Sequence, residues 1–484
     1  QYQLKLRKEG LKRLYFSYQS FPILYYLFKY LSIAYKKRVA PTSLINNLFV
    51  QGRGDLNLSN DGYHSDYFWY LNSDFPSQNI FTETQTEEEK VYLEKYNLSV
   101  CEMEIDFKRT SQIDSSVSLE VNFLHTEKPL VSHLNSRYLS IKNYWISVFT
   151  KYNIKTYLTW NKYNATHMAI ADAVESIGGV SAIWQLAFDG HRVINARYNT
   201  DINFSFSKFS VDVDIQSGSN SKYQIITGYP KTYTRSLLED KAQSIRTTML
   251  NEGAKNIIFV IDENSVDDSR WHTGHALQRD NYLKPLEVLI RNPDIGLIFK
   301  PKNARSLKHR IGEDTYSILS EAIQTGRCCL LDELGLKDFT TSSPPMLAAL
   351  ASDLCIHGHF GTAAFEASLV GKPTLMIDRE GMPHHAFYDL FDENVIFKNW
   401  DDALEAALSF FGSNNKNNRI GDWSNVIKEI DPFNDSLAAK RLGNHLNQIR
   451  KGFDEGLNRE HSMIKAAEIY SKEWGSDKII YSGD

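Results

Sequence analysis

SDLCIHGHFGTAAFEASLVGKPTLMID, residues 352–378, is the stretch from which the fold is read. Leu354, Cys355 and Ile356 form a short apolar run of the kind a buried strand carries. His357-Gly358-His359-Phe360-Gly361 is a glycine-punctuated loop, and Thr362 stands where a helix N-cap belongs. The helix predicted over 363–370 ends at Gly371, and Pro373 keeps it from resuming. Residues 374–377 supply the next strand. Strand, loop, helix and strand in that order make one crossover unit of a parallel sheet. The loop then opens on a helix N-terminus, where free N–H groups and the helix dipole favour an anion. Glu366, four residues beyond Thr362, shares that face of the helix.

The same alternation runs outward in both directions. Residues 255–262 contain IIFVI, the strongest predicted strand and a run suited to the centre of a parallel sheet. Helices are predicted over 235–252, 281–291 and 315–326, and strands over 295–300 and 328–331. Upstream, strands over 48–50, 155–160 and 180–186 alternate with helices over 86–96, 144–152 and 165–177. Residues 106–135 read as an irregular insertion. The expected class is α/β, with two Rossmann-like doubly wound domains facing a cleft, over 41–230 and 231–430. C-terminal helices over 431–484 are expected to pack across both.

With 484 residues and 42% hydrophobic content, the chain has material for two full cores. The four cysteines form no CxxC pair, which argues against a zinc cluster or a disulfide framework and fits a reducing, cytoplasmic compartment. No apolar run is long enough to span a bilayer. The net charge of −5 is unevenly spread: residues 1–38 hold nine Lys/Arg and one acid, a balance of +8, leaving −13 for the rest. That segment, 1–40, is also rich in Tyr and Phe. It is expected to be helical and to lie on an anionic membrane surface or to pack on its own domain. Nothing suggests nucleic acid as a partner.

Several residues stand where doubly wound domains display ligand groups, at strand ends. Lys300 and Lys302 follow an apolar strand and suit a phosphate as point charges, or form a solvated turn. Glu263, with His272 and His275 in the loop beyond it, follows the 255–262 strand. His357, Gly358, His359, Gly361 and Thr362 form the anion loop, or a plain helix cap. His357, His359, His384 and His385 lack the spacing of a standard metal set, so no metal is expected. In the first half, Asp189 and His191 follow the 180–186 strand and His167 follows the 155–160 strand. Asp189 is the preferred catalytic carboxylate, with His191 or His167 as helper.

Three ordered pieces resemble the GT-B glycosyltransferases of bacterial capsule and O-antigen synthesis. One is Ser352-Asp353-Leu354, the Gly-Thr loop, Glu366 and Gly371-Lys372-Pro373. The second is Phe299-Lys300-Pro301-Lys302, where Lys302 stands in place of the histidine some relatives carry. The third is the helical tail over 431–475. The resemblance implies that Glu366 accepts hydrogen bonds from donor hydroxyls and that the lysines and the loop hold donor phosphates. It implies a nucleotide-sugar donor as co-substrate, no other cofactor, and a glycan or lipid-linked acceptor at the inner membrane face. The expected function is sugar transfer in surface-polysaccharide synthesis. A nucleotide-sugar epimerase or hydrolase, or a polyol-phosphate transferase, is the alternative on the same fold; a non-catalytic sugar-binding scaffold is the third reading.

Overall fold

The computed structural model describes residues 45–52, 58, 65–84, 86–101, 128–163, 166–267, 274–332, 343–392, 394–412 and 419–481. The basic segment 1–40 and His272 lie outside these residues.

Among the described residues, two separate sheets carry the chain. The first holds β1 (Asn47–Gln51), β2 (Ile80–Thr82), β3 (Ser99–Val100), β4 (Ile154–Thr159), β5 (Val180–Trp184), β6 (Asn199–Ser205) and β7 (Asn220–Ile226). These seven run parallel in the order β3-β2-β1-β4-β5-β6-β7. The second holds β8 (Asn256–Ile261), β9 (Ile295–Lys300), β10 (Cys328–Leu330), β11 (Leu354–His357), β12 (Thr374–Ile377) and β13 (Ile396–Phe397), all parallel. Their order is β10-β9-β8-β11-β12-β13. Each sheet is therefore filled outward from its first strand, and then outward again on the other side. The direction reverses between β1 and β4 and between β8 and β11. In open α/β sheets ligands bind outside the strand carboxyl ends at such reversals. The architecture is that of two Rossmann-like domains, the GT-B arrangement.

The expected unit over 352–378 is present, with β11 and β12 paired Cys355 to Thr374 and His357 to Met376. The helix between them is Thr362–Leu369, and Gly371 follows it at φ +81°, in the left-handed region that favours glycine. The cap differs from expectation. Gly361 is the N-cap, in extended backbone, and Thr362 is already helical. The strand IIFVI is β8, with Ile257 to Ile261 all buried, because helices cover both of its faces. A larger departure is the helix Lys128–Lys151, which begins well before the expected 144 and occupies part of the expected irregular insertion.

After β13 the chain returns to the first sheet. Helices Ala438–Asp454 and Arg459–Trp474 place Leu442, Leu446, Met463 and Tyr470 in one core with Leu48, Trp69 and Trp184. The last strand, β14 (Ile479–Tyr481), then pairs antiparallel with β7 at the sheet edge. Two groups strap this return to the hinge after β7. Asp431 accepts the N–H groups of Tyr229 at 3.1 Å and Asn434 at 2.9 Å. The Arg441 guanidinium lies 3.5 Å from the Phe433 ring centroid and donates to the Thr227 carbonyl at 3.0 Å. No described helix is long and apolar enough to cross a membrane.

Candidate functional site in the interdomain cleft

Between the two sheets lies a cleft with a cavity volume of about 700 Å³, lined from both sides. The second domain contributes the carboxyl end of β8, the turn after β9 and the N-terminus of the helix Thr362–Leu369. The first domain contributes Asp66, Trp160, Lys231 and the loop 186–191.

At the reversal of the second sheet, β8 ends in Asp262 and Glu263. Asp262 is buried and accepts from the Arg310 guanidinium at 3.0 Å, the Tyr282 hydroxyl at 3.0 Å and the Lys302 N–H at 3.2 Å. It fixes the turn after β9 by these bonds. Glu263 faces the His357 ring, Oε1 to Nε2 3.3 Å. Burial alone would raise this carboxyl, but the His357 contact and the nearby Lys302 and His359 hold it down at about 2. The other ring nitrogen of His357, Nδ1, accepts the His359 N–H at 3.1 Å. The result is a prop, from the half-buried Glu263 to the buried His357 to the His359 backbone, that sets the loop before the helix. Gly361 makes it possible: a Cβ there would lie 2.6 Å from His357 Nε2 and 2.7 Å from Glu263 Oε1.

This corrects the expectation for two residues. His357 is fully buried and absent from the cleft wall, so it positions the loop instead of touching a ligand directly. Gly358 faces Asn281 in a small adjoining pocket with Arg379, and does not line the cleft. His359, Gly361, Thr362, Glu366, Lys300, Lys302 and Glu263 all do line it.

Lys300 ends β9 with only 6% of its surface exposed, and burial lowers its ammonium to about 8. Glu366 is no exposed helical acid. It is buried, accepts from the Tyr229 hydroxyl, and burial pushes its carboxyl well above the usual range. Burial thus favours its neutral form, which can donate as well as accept. Thr362 Oγ1 accepts the backbone N–H of Phe188 at 2.9 Å, and the Phe188 ring stacks on Phe365 with centroids 4.0 Å apart. The first-domain loop is thus docked on the helix N-terminus itself.

On the first-domain side, Asp189 lines the cleft but is engaged by Lys162 Nζ at 2.8 Å and the Tyr163 hydroxyl at 3.0 Å. Lys162 also pairs with Asp214 at 2.9 Å. Both of its oxygens are thus engaged, Oδ1 by Tyr163 at 3.1 Å and Oδ2 by Lys162, which weakens its expected role. His191 is exposed at the rim, edge-on to His385 with centroids 4.5 Å apart. Burial, with His191 and His359 nearby, lowers His385 to about 3, so its ring is neutral. His167 is buried in the helix Thr166–Ser176 and does not reach the cleft, contrary to its expected part. His275 lies outside the cleft too, its Nδ1 2.9 Å from Ser265 Oγ.

Lys231, Asp66 and Tyr229 also line the cleft, and no sequence motif marks them. Lys231 follows Gly228-Tyr229-Pro230 and reads as a solvated linker, yet it is 6% exposed under the ring of Phe68, Nζ 4.1 Å from its centroid. Its position just beyond the last parallel strand of the first sheet was the available signal. Among the described residues no group of three or more His, Cys, Asp or Glu is arranged to hold a metal ion.

No protein-family model and no curated protein sequence matches the chain. Solved structures are similar in fold. MnaA of S. aureus with UDP has TM-score 0.47 and 11% identity, covering 83% of this chain and 96% of that one. The UDP-GlcNAc 2-epimerase of Methanocaldococcus jannaschii with UDP-GlcNAc and UDP has 0.46 and 11%, covering 84% and 99%. The wall teichoic acid polymerase TagF has 0.48 and 10%, covering 84% and 90%. The fold assignment itself stands on the two sheets and their order.

Proposed function

We propose that the cleft binds a nucleotide-activated sugar and that the chain is an enzyme transferring that sugar to a glycan or lipid-linked acceptor in bacterial surface-polysaccharide synthesis. One observation carries the reading. The reversal point of the second sheet opens on a helix N-terminus flanked by Lys300 and Lys302, across the same cleft from the first sheet. In this reading the donor phosphates sit at Gly361 and Thr362, and the lysines offset the charge that grows on the leaving phosphate. Glu366, paired with Tyr229, meets donor hydroxyls. The acceptor enters over the loop 186–191, with Asp189 and His191 at its edge.

Thermal shift with UDP, GDP, CMP and CDP tests the donor site, since a ligand of the native state raises its apparent stability. A shift with one nucleotide that is lost in Lys300→Gln supports the reading, and no shift with any of the four removes it. An epimerase or hydrolase using the same pocket is the second reading. It is favoured by the buried amine of Lys231, lowered by burial to about 7, because abstraction of a carbon-bound proton needs a base near neutrality. Product analysis with the nucleotide sugar that binds separates the two: a new sugar isomer without acceptor indicates epimerisation.

A further inference from the structure

We propose that Lys231, at the carboxyl end of the first sheet beside Ser65 and Asp66, is the catalytic base that takes the proton from the acceptor hydroxyl. This rests on the donor site proposed above.

The placement follows from the hinge. After β7 the chain turns at Gly228, whose φ of +84° is strained for other residues and whose missing Cβ leaves room for the Asp431 carboxylate, 2.7 Å from where it would be. Tyr229 then reaches across to Glu366 on the donor side. Two residues later Lys231 points back to the acceptor side, where Nζ donates to the Ser65 carbonyl at 3.2 Å. Gly52, directly after β1, packs against the Asp66 carboxylate: a Cβ there would lie 3.2 Å from Oδ2. Lys231 and Asp66 thus stand at the reversal point of the first sheet, as Glu263 and His357 stand at that of the second. Both line the cleft.

The other candidates there are less suited. Asp189 is held by Lys162 and Tyr163, His191 is at the rim, and His167 is outside the cleft. Lys231 has the chemistry the step needs. Burial lowers its amine to about 7 and Asp66 opposes that shift, with the Phe68 and Trp184 rings also close to Nζ. A neutral fraction is then present at neutral pH.

In the step, an acceptor oxygen forms a bond to the anomeric carbon while the bond from that carbon to the donor phosphate oxygen breaks. The electron pair leaves with the nucleotide, facing the helix N-terminus and Lys300. The acceptor proton moves to Lys231 Nζ, which becomes an ammonium beside Asp66 and later returns the proton to solvent.

Two measurements on the full chain test this. In the first, lysines are labelled with trace acetic anhydride from about pH 6 to 11 and Lys231 is read by mass spectrometry. It is expected to titrate near the neutral range, about three units below exposed lysines, and to be protected by the nucleotide sugar that binds. In the second, nucleotide release from UDP-, GDP- and CMP-activated sugars is followed with water as acceptor. Lys231→Arg and Lys231→Met are expected to slow release by about 100-fold or more, with nucleotide affinity changed by less than about threefold. Added methylamine is expected to restore part of the rate in Lys231→Ala. Titration of Lys231 together with the exposed lysines overturns the proposal, as does release by both variants at nearly the wild-type rate. If the wild-type chain binds nucleotide without releasing it, the labelling result decides. A wild-type chain that binds none of these nucleotides removes the donor site first, and this base with it.

Discussion

Thr362 Oγ1 accepts the backbone N–H of Phe188 at 2.9 Å, a hydrogen bond between residues 174 positions apart that joins the two domains at the helix N-terminus. Thr362→Val keeps the shape and removes the acceptor, leaving a partly buried N–H without a partner. A loss of about 1–3 kcal/mol in urea unfolding is expected, with Thr362→Ser close to wild type. Equal stability of the Val and Ser variants would show that the bond contributes nothing.

The buried carboxyl of Glu366 makes a pH prediction. Its pKa is raised in the folded state, so the unfolded chain loses this proton first as pH rises. Its contribution is fully present below the unfolded value, about 4.5, and is lost progressively above it. Glu366→Gln keeps an oxygen to accept from Tyr229 and carries no titration. The variant is therefore expected to gain on the wild type from about pH 5 upward, by at most about 1.4 kcal/mol per pH unit. Parallel melting curves for the two chains would exclude a raised carboxyl.

Lys300 links donor binding to protons. Burial lowers its amine to about 8, and a bound phosphate draws it back up. Below pH 8 the amine is already charged and affinity is expected to be flat. Above it, affinity falls as pH rises, by up to about tenfold per unit. Calorimetry in two buffers of different ionisation enthalpy is expected to show proton uptake near pH 9. Lys300→Gln should abolish the uptake and weaken binding by about tenfold or more. Uptake that persists in the variant would assign it to another group.

Gly361 tests the prop formed by Glu263 and His357. Its φ of −176° is extended backbone open to any residue, so the cost of Gly361→Ala is one of space. The new methyl would press on His357 and Glu263, and a loss of about 1–3 kcal/mol in chemical denaturation is expected. With the His357 contact loosened, Glu263 should titrate higher, visible by NMR of its carboxyl carbon. A silent Gly361→Ala would mean that the prop is not tightly packed.

How much of this was legible in the sequence depended on how local the cause was. The strand–loop–helix–strand unit over 352–378 and the IIFVI run of β8 follow from apolar runs and glycine punctuation, both short-range signals. The helix Lys128–Lys151 is longer than its sequence suggests, because its first half continues the polar composition of the residues before it. The cap was misplaced by one residue because the Thr362 hydroxyl serves a distant N–H, which composition does not reveal. Two histidines in one loop were indistinguishable in sequence. In the fold His357 turns inward to Glu263 and His359 lines the cleft. Lys231 was missed because an isolated lysine after a proline normally marks solvent, and only the tertiary position of Phe68 buries it.

The strand β14 and the two helices before it have a consequence for how the molecule is made. A ribosome releases the residues of the first sheet long before residues 438–481, yet Leu442, Leu446, Tyr470 and Ile479 belong to that sheet's core. The second sheet draws its own core from residues 258–420 and can close as soon as these have emerged. The earlier half of the chain is thus completed after the later one. A truncation at the hinge would yield an N-terminal fragment with an open apolar face and an unpaired β7 edge.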